Sequence, residues 1–451
     1  MITIDWNAVT DEAAALLSDY IKINTTNPPG NEREAALFLK DILQKEGIDV
    51  RIYEPVPGRA NLLAILPGET RYPPMVLLNH MDVVPVEQEK WDVDPFGGVV
   101  QDGYIYGRGS IDMKGTAVAE LMALLLLART GVTLQRPVVF LATADEETGG
   151  AYGVKWMMDH ERHLKEVGFV LNEGGNIIVN DTGDVSHYEI STAQKVVCQF
   201  ALKARGPAGH GSMPLQNGSN VKLVRALHNL VEWETPFIII PLVREYFASL
   251  GSTTSGDSRQ GHPDIAAALT DHSFARQFTA NPHYNALVRN TLTPTILKAG
   301  HKVNVIPSDA EATFDCRLLP GTPCTDFLEE LRSRLRETGA EVIPIGDSIE
   351  ETAVPSPTDH ECYQAICRMA EHYHPGCVVT PTLITGATDS RFFRNAGIPC
   401  YDFSPFRLTR DDLLLIHGHN ERLSLDNLAF GVRFMFEMVA RLAATPAQPY
   451  L

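Results

Sequence analysis

Positive charge is scarce in this chain. Its 451 residues carry 38 Lys and Arg against 56 Asp and Glu, a formal net charge of −18. A nucleic-acid partner needs a basic surface, so none is expected. Long apolar runs are missing as well. The longest, Leu121 to Ala128, falls well short of the roughly 20 residues that cross a bilayer, and no membrane partner is expected. The start, Met1-Ile2-Thr3-Ile4-Asp5-Trp6, has neither the basic nor the apolar region of a secretory leader. Cysteine is sparse: seven residues, at 198, 316, 324, 362, 367, 377 and 400, an odd number with no Cys-x-x-Cys pair. This favours reduced thiols in a cytoplasmic protein over a disulfide framework or a thiolate metal site. Any metal must then be held by His, Asp and Glu.

What is present is the composition of an ordinary soluble protein, 44% hydrophobic and 21% charged, in a chain long enough for more than one domain. Apolar spacing predicts helices over 11–23 and 31–46, separated by the turn Asn27-Pro28-Pro29-Gly30-Asn31. Buried strands are expected at Leu62 to Leu66, Met75 to Leu78, Val138 to Ala142 and Phe169 to Leu171, with helices over about 116–129 and 154–160. Such alternation predicts an α/β layer with a mostly parallel sheet. Residues 98–107 read as a hairpin turning on Asp102-Gly103. Near residue 194 the order changes to β-α-β-β-α-β, that of a ferredoxin-like α+β domain. An extra stretch over 235–290 includes Gly251-Ser252-Thr253-Thr254-Ser255-Gly256. Beyond 355 the α/β pattern returns, ending in a helix from Leu425 to Leu442. The expected plan is therefore one α/β domain, residues 1–193 plus 355–451, interrupted by an inserted domain of residues 194–354.

Five segments carry ligand-type residues: Asn79-His80-Met81-Asp82, Gly107-Arg108-Gly109-Ser110-Ile111-Asp112-Met113-Lys114-Gly115, Asp145-Glu146-Glu147-Thr148-Gly149-Gly150, Asn172-Glu173-Gly174-Gly175 and His417-Gly418-His419-Asn420-Glu421. A lone polar residue at a strand end is usually a turn or a cap. Here His80, Glu146, Glu147 and Glu173 all fall beyond strand carboxyl ends, the edge where open α/β sheets bind ligands. Two divalent ions carry four positive charges. Asp112, Glu147 and Glu173 supply three negative ones and a bridging hydroxide the fourth. Imidazole and carboxylate donors suit zinc, cobalt or manganese. Asp82, two residues beyond His80, is placed to steady its ring.

Together these segments resemble the co-catalytic zinc amidohydrolases that include acetylornithine deacetylase, succinyl-diaminopimelate desuccinylase, aminoacylase, glutamate carboxypeptidase and carboxypeptidase S. The resemblance runs through nearly the whole chain. It implies a zinc-peptidase-like catalytic domain with a ferredoxin-like lid and dimerisation domain inserted in it, and a homodimer. It implies that Asp112 bridges two metal ions, most simply Zn2+, with His80 and Glu173 completing one site and Glu147 and a C-terminal His the other. The family pattern His-Gly-x-Asn-Glu assigns that His to His417, with His419 two residues on as the alternative. Glu146 is the implied general base and Asp82 the support of His80. His210, in Gly206-Pro207-Ala208-Gly209-His210-Gly211-Ser212-Met213-Pro214, matches a residue that reaches the partner subunit's active site. Asn304, Arg317, Gly386 and Arg391 match substrate-contacting positions. The long 235–290 stretch departs from the compact members of the family.

The reaction implied is hydrolysis of an amide bond in small N-acyl amino acids or short peptides, as deacylase, dipeptidase or carboxypeptidase. A two-metal phosphoesterase would need basic groups for phosphate. A catalytically silent metal-binding dimer would tolerate loss of the base, yet Glu146 is present. Gly107-Arg108-Gly109 lacks the third glycine of a dinucleotide loop.

Overall fold

The computed structural model describes residues 4–251, 262–346 and 354–444. The glycine- and serine-rich piece after Gly251, the junction near 354 and both chain ends lie outside these. An eight-stranded sheet runs in the order Asp49–Val56, Arg59–Leu66, Val138–Thr143, Met75–His80, Phe169–Val179, Cys400–Leu408, Val185–Gln194, Val378–Ile384. Met75–His80 lies parallel to Val138–Thr143 and to Phe169–Val179, which lies parallel to Cys400–Leu408. These strands are buried on both faces, which is why Met75–His80 and Val138–Thr143 read as unbroken apolar runs. Antiparallel strands flank them on both sides.

One face of the sheet is covered by Lys114–Thr130, which is buried along nearly its whole length. Its sides pack against Trp6–Lys22 and Leu425–Ala443, so beyond the buried Lys114, Thr116 and Glu120 near its start it is apolar all round, as an enclosed helix is. The other face carries Val154–His160, whose Val154, Met157 and Met158 meet Leu78, Leu141 and Phe393. The expected hairpin forms, Val99–Gln101 with Tyr104–Tyr106, and a third strand, Arg422–Ser424, joins it. One expectation was too short. The strand begun at Phe169 continues to Val179 and turns back as Val185–Gln194, because Gly174 and Gly175 interrupt the apolar pattern without ending the strand.

The inserted sheet is antiparallel, in the order Thr291–Ala299, Asp309–Leu318, Gln199–Arg205, Ala340–Ile345. Its helices, Ser219–Val231 and Cys324–Leu335, close a separate core with Phe200, Phe314 and Leu331. This is the split β-α-β-β-α-β arrangement expected from the sequence. The 235–290 stretch packs elsewhere: its helix Pro241–Gly251 lies along Val378–Ile384, the edge strand of the large sheet. Leu242, Phe247 and Phe278 form a further apolar cluster with Ala193 and Leu383.

The thiol expectation needs correcting. Cys198 and Cys324, 126 residues apart, form a disulfide. Their Cα atoms stand 5.7 Å apart because the inserted sheet folds the start of one strand against the start of a helix, a proximity that sequence spacing does not contain. The other five cysteines are free. Among the described residues no helix is long and apolar enough to cross a membrane.

Candidate dinuclear metal centre

Parallel strands put their carboxyl ends on one edge, and the register there is close. His80 stands opposite Thr143, after which come Asp145, Glu146 and Glu147, and Leu77 stands opposite Leu171, two residues before Glu173. Glu173 can turn inward because Gly174 follows it with φ +144°; a Cβ there would lie 2.7 Å from Asp402 Cβ and 2.8 Å from Ile384 Cδ1. Asp112 arrives on the loop after the hairpin. His417 arrives because Arg422–Ser424 pairs with Tyr104–Tyr106, bringing the C-terminal motif beside that loop.

The result is two trios sharing one carboxylate: His80, Asp112 and Glu173, and Asp112, Glu147 and His417, with the donor atoms of each within 4.8 Å of one another. His80 Nε2 is 3.1 Å from Asp112 Oδ1 and 3.1 Å from Glu173 Oε1. His417 Nε2 is 3.1 Å from Asp112 Oδ2 and 3.5 Å from Glu147 Oε1. The two oxygens of Asp112 thus face opposite trios. Donors about 2 Å from a tetrahedral ion sit roughly 3.4 Å apart, so both trios fit a zinc-sized cation. Buried Glu147 Oε1 has His417 Nε2 3.5 Å away and makes no closer hydrogen bond among the described residues, as a carboxylate facing a cation would. His419 is exposed, and no hydrogen bond draws it into either trio among the described residues.

Three carboxylates crowded together disturb every titration. Burial, then Asp112, push Glu173 up to about 8. Hydrogen bonds to Asp112 and Glu147 raise His417 to about 10. Burial opposes charge on His80, but Glu173 and Asp112 overcome it and hold the ring well above the usual imidazole value. Asp112 is held far below the usual range despite its burial, by His417 and His80. Glu146 is partly exposed; burial and the acidic groups around it raise its carboxyl well above the ordinary value, the direction that suits a general base.

Asp82 does more than steady a ring. His80 Nδ1 meets the Asp82 backbone carbonyl at 2.9 Å, with the carboxylate 3.6 Å away. That carboxylate instead accepts from Glu146 N at 3.2 Å, Glu147 N at 3.1 Å and Asn27 Nδ2 at 2.8 Å, so it fixes the segment carrying Glu146 and Glu147. Three further supports hold the site. Asn27 links Asp82 to Thr148. Arg59 joins Glu32 to Asp145. Glu421 pairs with Arg108 at 2.6 Å and accepts from the backbone N–H groups of Gly109, Ile111 and Asp112. Arg108 and Glu421 do stand inside two of the quoted motifs; nothing local marks Asn27 or Arg59.

The remaining site candidates separate. Arg391, in the first turn of the helix Ser390–Asn395, donates to the Gly149 carbonyl at 2.7 Å, beside the Glu146–Glu147 segment, and Gly386 lies on the loop leading into that helix, partly exposed. His210 and Asn304 come together elsewhere, on a small ribbon in which Gly209–His210 pairs with Val305–Ile306 and Gly211 N donates to the Asn304 carbonyl. Both are exposed, and the His210 ring meets Ser212 Oγ at 2.7 Å. Arg317 is held by Asp315 through two hydrogen bonds, of 2.8 and 3.1 Å, within the inserted sheet.

Fold and donor set together define a metal-dependent hydrolase with its centre on the carboxyl edge of a parallel sheet. The chain belongs to Peptidase family M20/M25/M40, whose model matches residues 76–441. It is 29% identical over 414 residues to the N-fatty-acyl-amino acid synthase/hydrolase PM20D1 of Homo sapiens, covering 88% of this chain and 79% of that protein. It is 28% identical over 447 residues to Aminoacylase-1 of Mus musculus, covering 97% of each. A M20 family metallo-carboxypeptidase from Sulfolobus solfataricus shares the fold, with a TM-score of 0.74 at 20% identity over 95% of this chain and 98% of that one.

Proposed function

We propose that this enzyme hydrolyses the amide bond of N-acyl amino acids, with short peptides as a related substrate class. One observation carries the reading: a carboxylate, Asp112, shared between two donor trios with Glu146 beside them. The substrate class is suggested by the aminoacylase and fatty-acyl amino acid hydrolase among the relatives. His80, Asp112 and Glu173 would hold one divalent ion and Asp112, Glu147 and His417 the other, most simply zinc. When bound, such ions polarise a carbonyl and acidify water. Glu146 takes the proton of the attacking water and returns it to the leaving nitrogen. The loop from Gly386 to Arg391 receives the substrate carboxylate, Arg391 offering a planar fork suited to it.

The same reading assigns residues 1–193 with 355–451 to catalysis and 194–354 to a lid through which two chains pair. His210 and Asn304 would then serve the partner's centre as oxyanion donors, which explains their exposure in one chain. Arg317, engaged with Asp315, would contact substrate only after exchanging that partner. A cytoplasmic location goes with this reading, and the Cys198–Cys324 bond is the observation against it, since cytosolic thiols are kept reduced.

A screen of metal-loaded protein against N-acyl amino acids and dipeptides, reading released amine, tests the substrate class. Glu146→Gln should keep both ions yet lower turnover roughly 100- to 10,000-fold, whereas Glu147→Gln should lose one ion. Full activity in metal-free protein, checked by elemental analysis, would sink the reading.

A further inference from the structure

The strand Val185–Gln194 ends where the chain leaves the large sheet for the inserted one. Gln194 is buried, and its side-chain amide is engaged with one loop. Its Nε2 donates to the Thr388 carbonyl at 3.3 Å, and its Oε1 accepts from Thr388 Oγ1 at 3.0 Å and Thr388 N at 3.4 Å. The same oxygen accepts from Arg394 Nη1 at 3.1 Å. Arg394 pairs with Asp402 at 2.9 Å, Asp402 accepts from Ser390 Oγ, and Ser390 Oγ accepts from Asn172 Nδ2 at 3.0 Å. Asn172 immediately precedes Glu173. All six residues are buried. An unbroken polar chain therefore runs from the exit of the large sheet, through the helix that carries Arg391, to the neighbour of a metal-ligand candidate.

The next residue faces the other way. Buried Lys195 donates through Nζ to the Arg289 carbonyl at 2.8 Å and reaches Thr291 Oγ1 at 3.4 Å, where the 235–290 stretch enters the inserted sheet. Its backbone N–H donates to the Ile384 carbonyl at 2.9 Å. Side chains alternate along an extended chain, so two adjacent residues grip opposite partners: Gln194 the catalytic loop, Lys195 the inserted sheet. No soft segment separates the two grips.

We propose that Gln194 is a positioning residue that sets the Gly386–Arg391 loop, and with it the grip on the substrate carboxylate, according to where the inserted sheet stands. This rests on the reading that the loop takes that carboxylate. Glutamine suits the task because its amide offers a donor and an acceptor at once, matching both backbone groups of Thr388. Glutamate at this position has no donor for the Thr388 carbonyl, and methionine has neither group.

The test compares kcat/KM for an N-acyl amino acid with that for its neutral C-terminal amide, and takes the ratio. Arg391→Ala should collapse the ratio. Gln194→Met should lower it roughly 10- to 100-fold, the scale of a misplaced binding group. Most of that loss should fall in KM, with metal content unchanged. Gln194→Glu, which keeps the acceptor bonds, should recover part of it. Should Gln194→Met fail to fold, Thr388→Val removes one bond from the loop side and should still lower the ratio several-fold, the scale of one lost hydrogen bond. If Arg391→Ala leaves the ratio as in wild type, the carboxylate reading is what fails. If Arg391→Ala collapses it while Gln194→Met and Thr388→Val do not, the positioning role is overturned.

Discussion

Glu421 has no place in either donor trio, yet both its oxygens are engaged, with Arg108 and the N–H groups of Gly109, Ile111 and Asp112. Both partners are buried, and removing one charge strands the other. Glu421→Gln should therefore destabilise the fold by about 3–5 kcal/mol and weaken metal binding roughly 10- to 100-fold by loosening the Asp112 backbone. Denaturant unfolding and metal titration read the two effects, and wild-type values in both would contradict this account of the loop. The candidate ligands make a pH prediction. With Glu173 at about 8, His417 at about 10 and His80 raised above its ordinary value, the metal-free protein holds protons on these groups at pH 7. Bound cations require them deprotonated. Loading at pH 7 should release roughly two to three protons per chain, and affinity should fall as pH falls. Calorimetry in buffers of different ionisation enthalpy counts them; a release near zero would show that the donors are other residues.

At the scale of elements, the ribbon of Gly209–His210 and Val305–Ile306 is the piece whose purpose a single chain leaves unexplained. It presents His210 and Asn304 to solvent, with Val303 and Met213 exposed beside them. A ribbon built to serve a second chain would look like this. His210→Ala should keep metal and fold but lower turnover about 100-fold, the effect of losing one oxyanion donor. Mixing it with Glu146→Gln chains should restore activity, because one of the two centres in each mixed dimer regains a full set. Absence of recovery, with exchange of chains demonstrated, would return His210 to its own chain's chemistry or remove it from the reaction.

Across the whole molecule, both sheets have an edge to manage. The large sheet covers Val378–Ile384 with the helix Pro241–Gly251, which gives the 235–290 stretch a structural task. Among the described residues the inserted sheet leaves Thr291–Ala299 open, with Ile296 and Leu297 exposed, and its neighbouring helix Ser219–Val231 exposes Val224 and Val231. Open apolar edges invite a second chain. Sedimentation should give about twice the chain mass of 49.7 kDa, and Leu297→Asp should shift it toward monomer with loss of activity; a fully active monomer would contradict the lid assignment. Thiol counting addresses the compartment. Five reactive thiols in the denatured, unreduced chain, rising on reduction by the pair Cys198–Cys324, is the expected outcome, and seven without reduction would remove the disulfide.

The sequence by itself marked the candidate donors, because each stands in a short motif at the end of an apolar strand or in a glycine-flanked turn, and strand ends of a parallel sheet must share an edge; their roles as ligands came from the family resemblance and are part of the proposal. It also carried the β-α-β-β-α-β order of the insertion, whose alternation is local. Only the tertiary structure decided that Asp112 turns one oxygen to each trio, and that His417 rather than His419 comes within 3.1 Å of it. It alone turned the Asp82 carboxylate to the Glu146 and Glu147 amides, and it alone joined Cys198 to Cys324. Those outcomes depend on partners 32 to 305 positions apart, judged from Asp112's separations from His80 and His417. Periodicity and spacing describe what a segment's own backbone does; which distant segment it meets is set by how the layers pack.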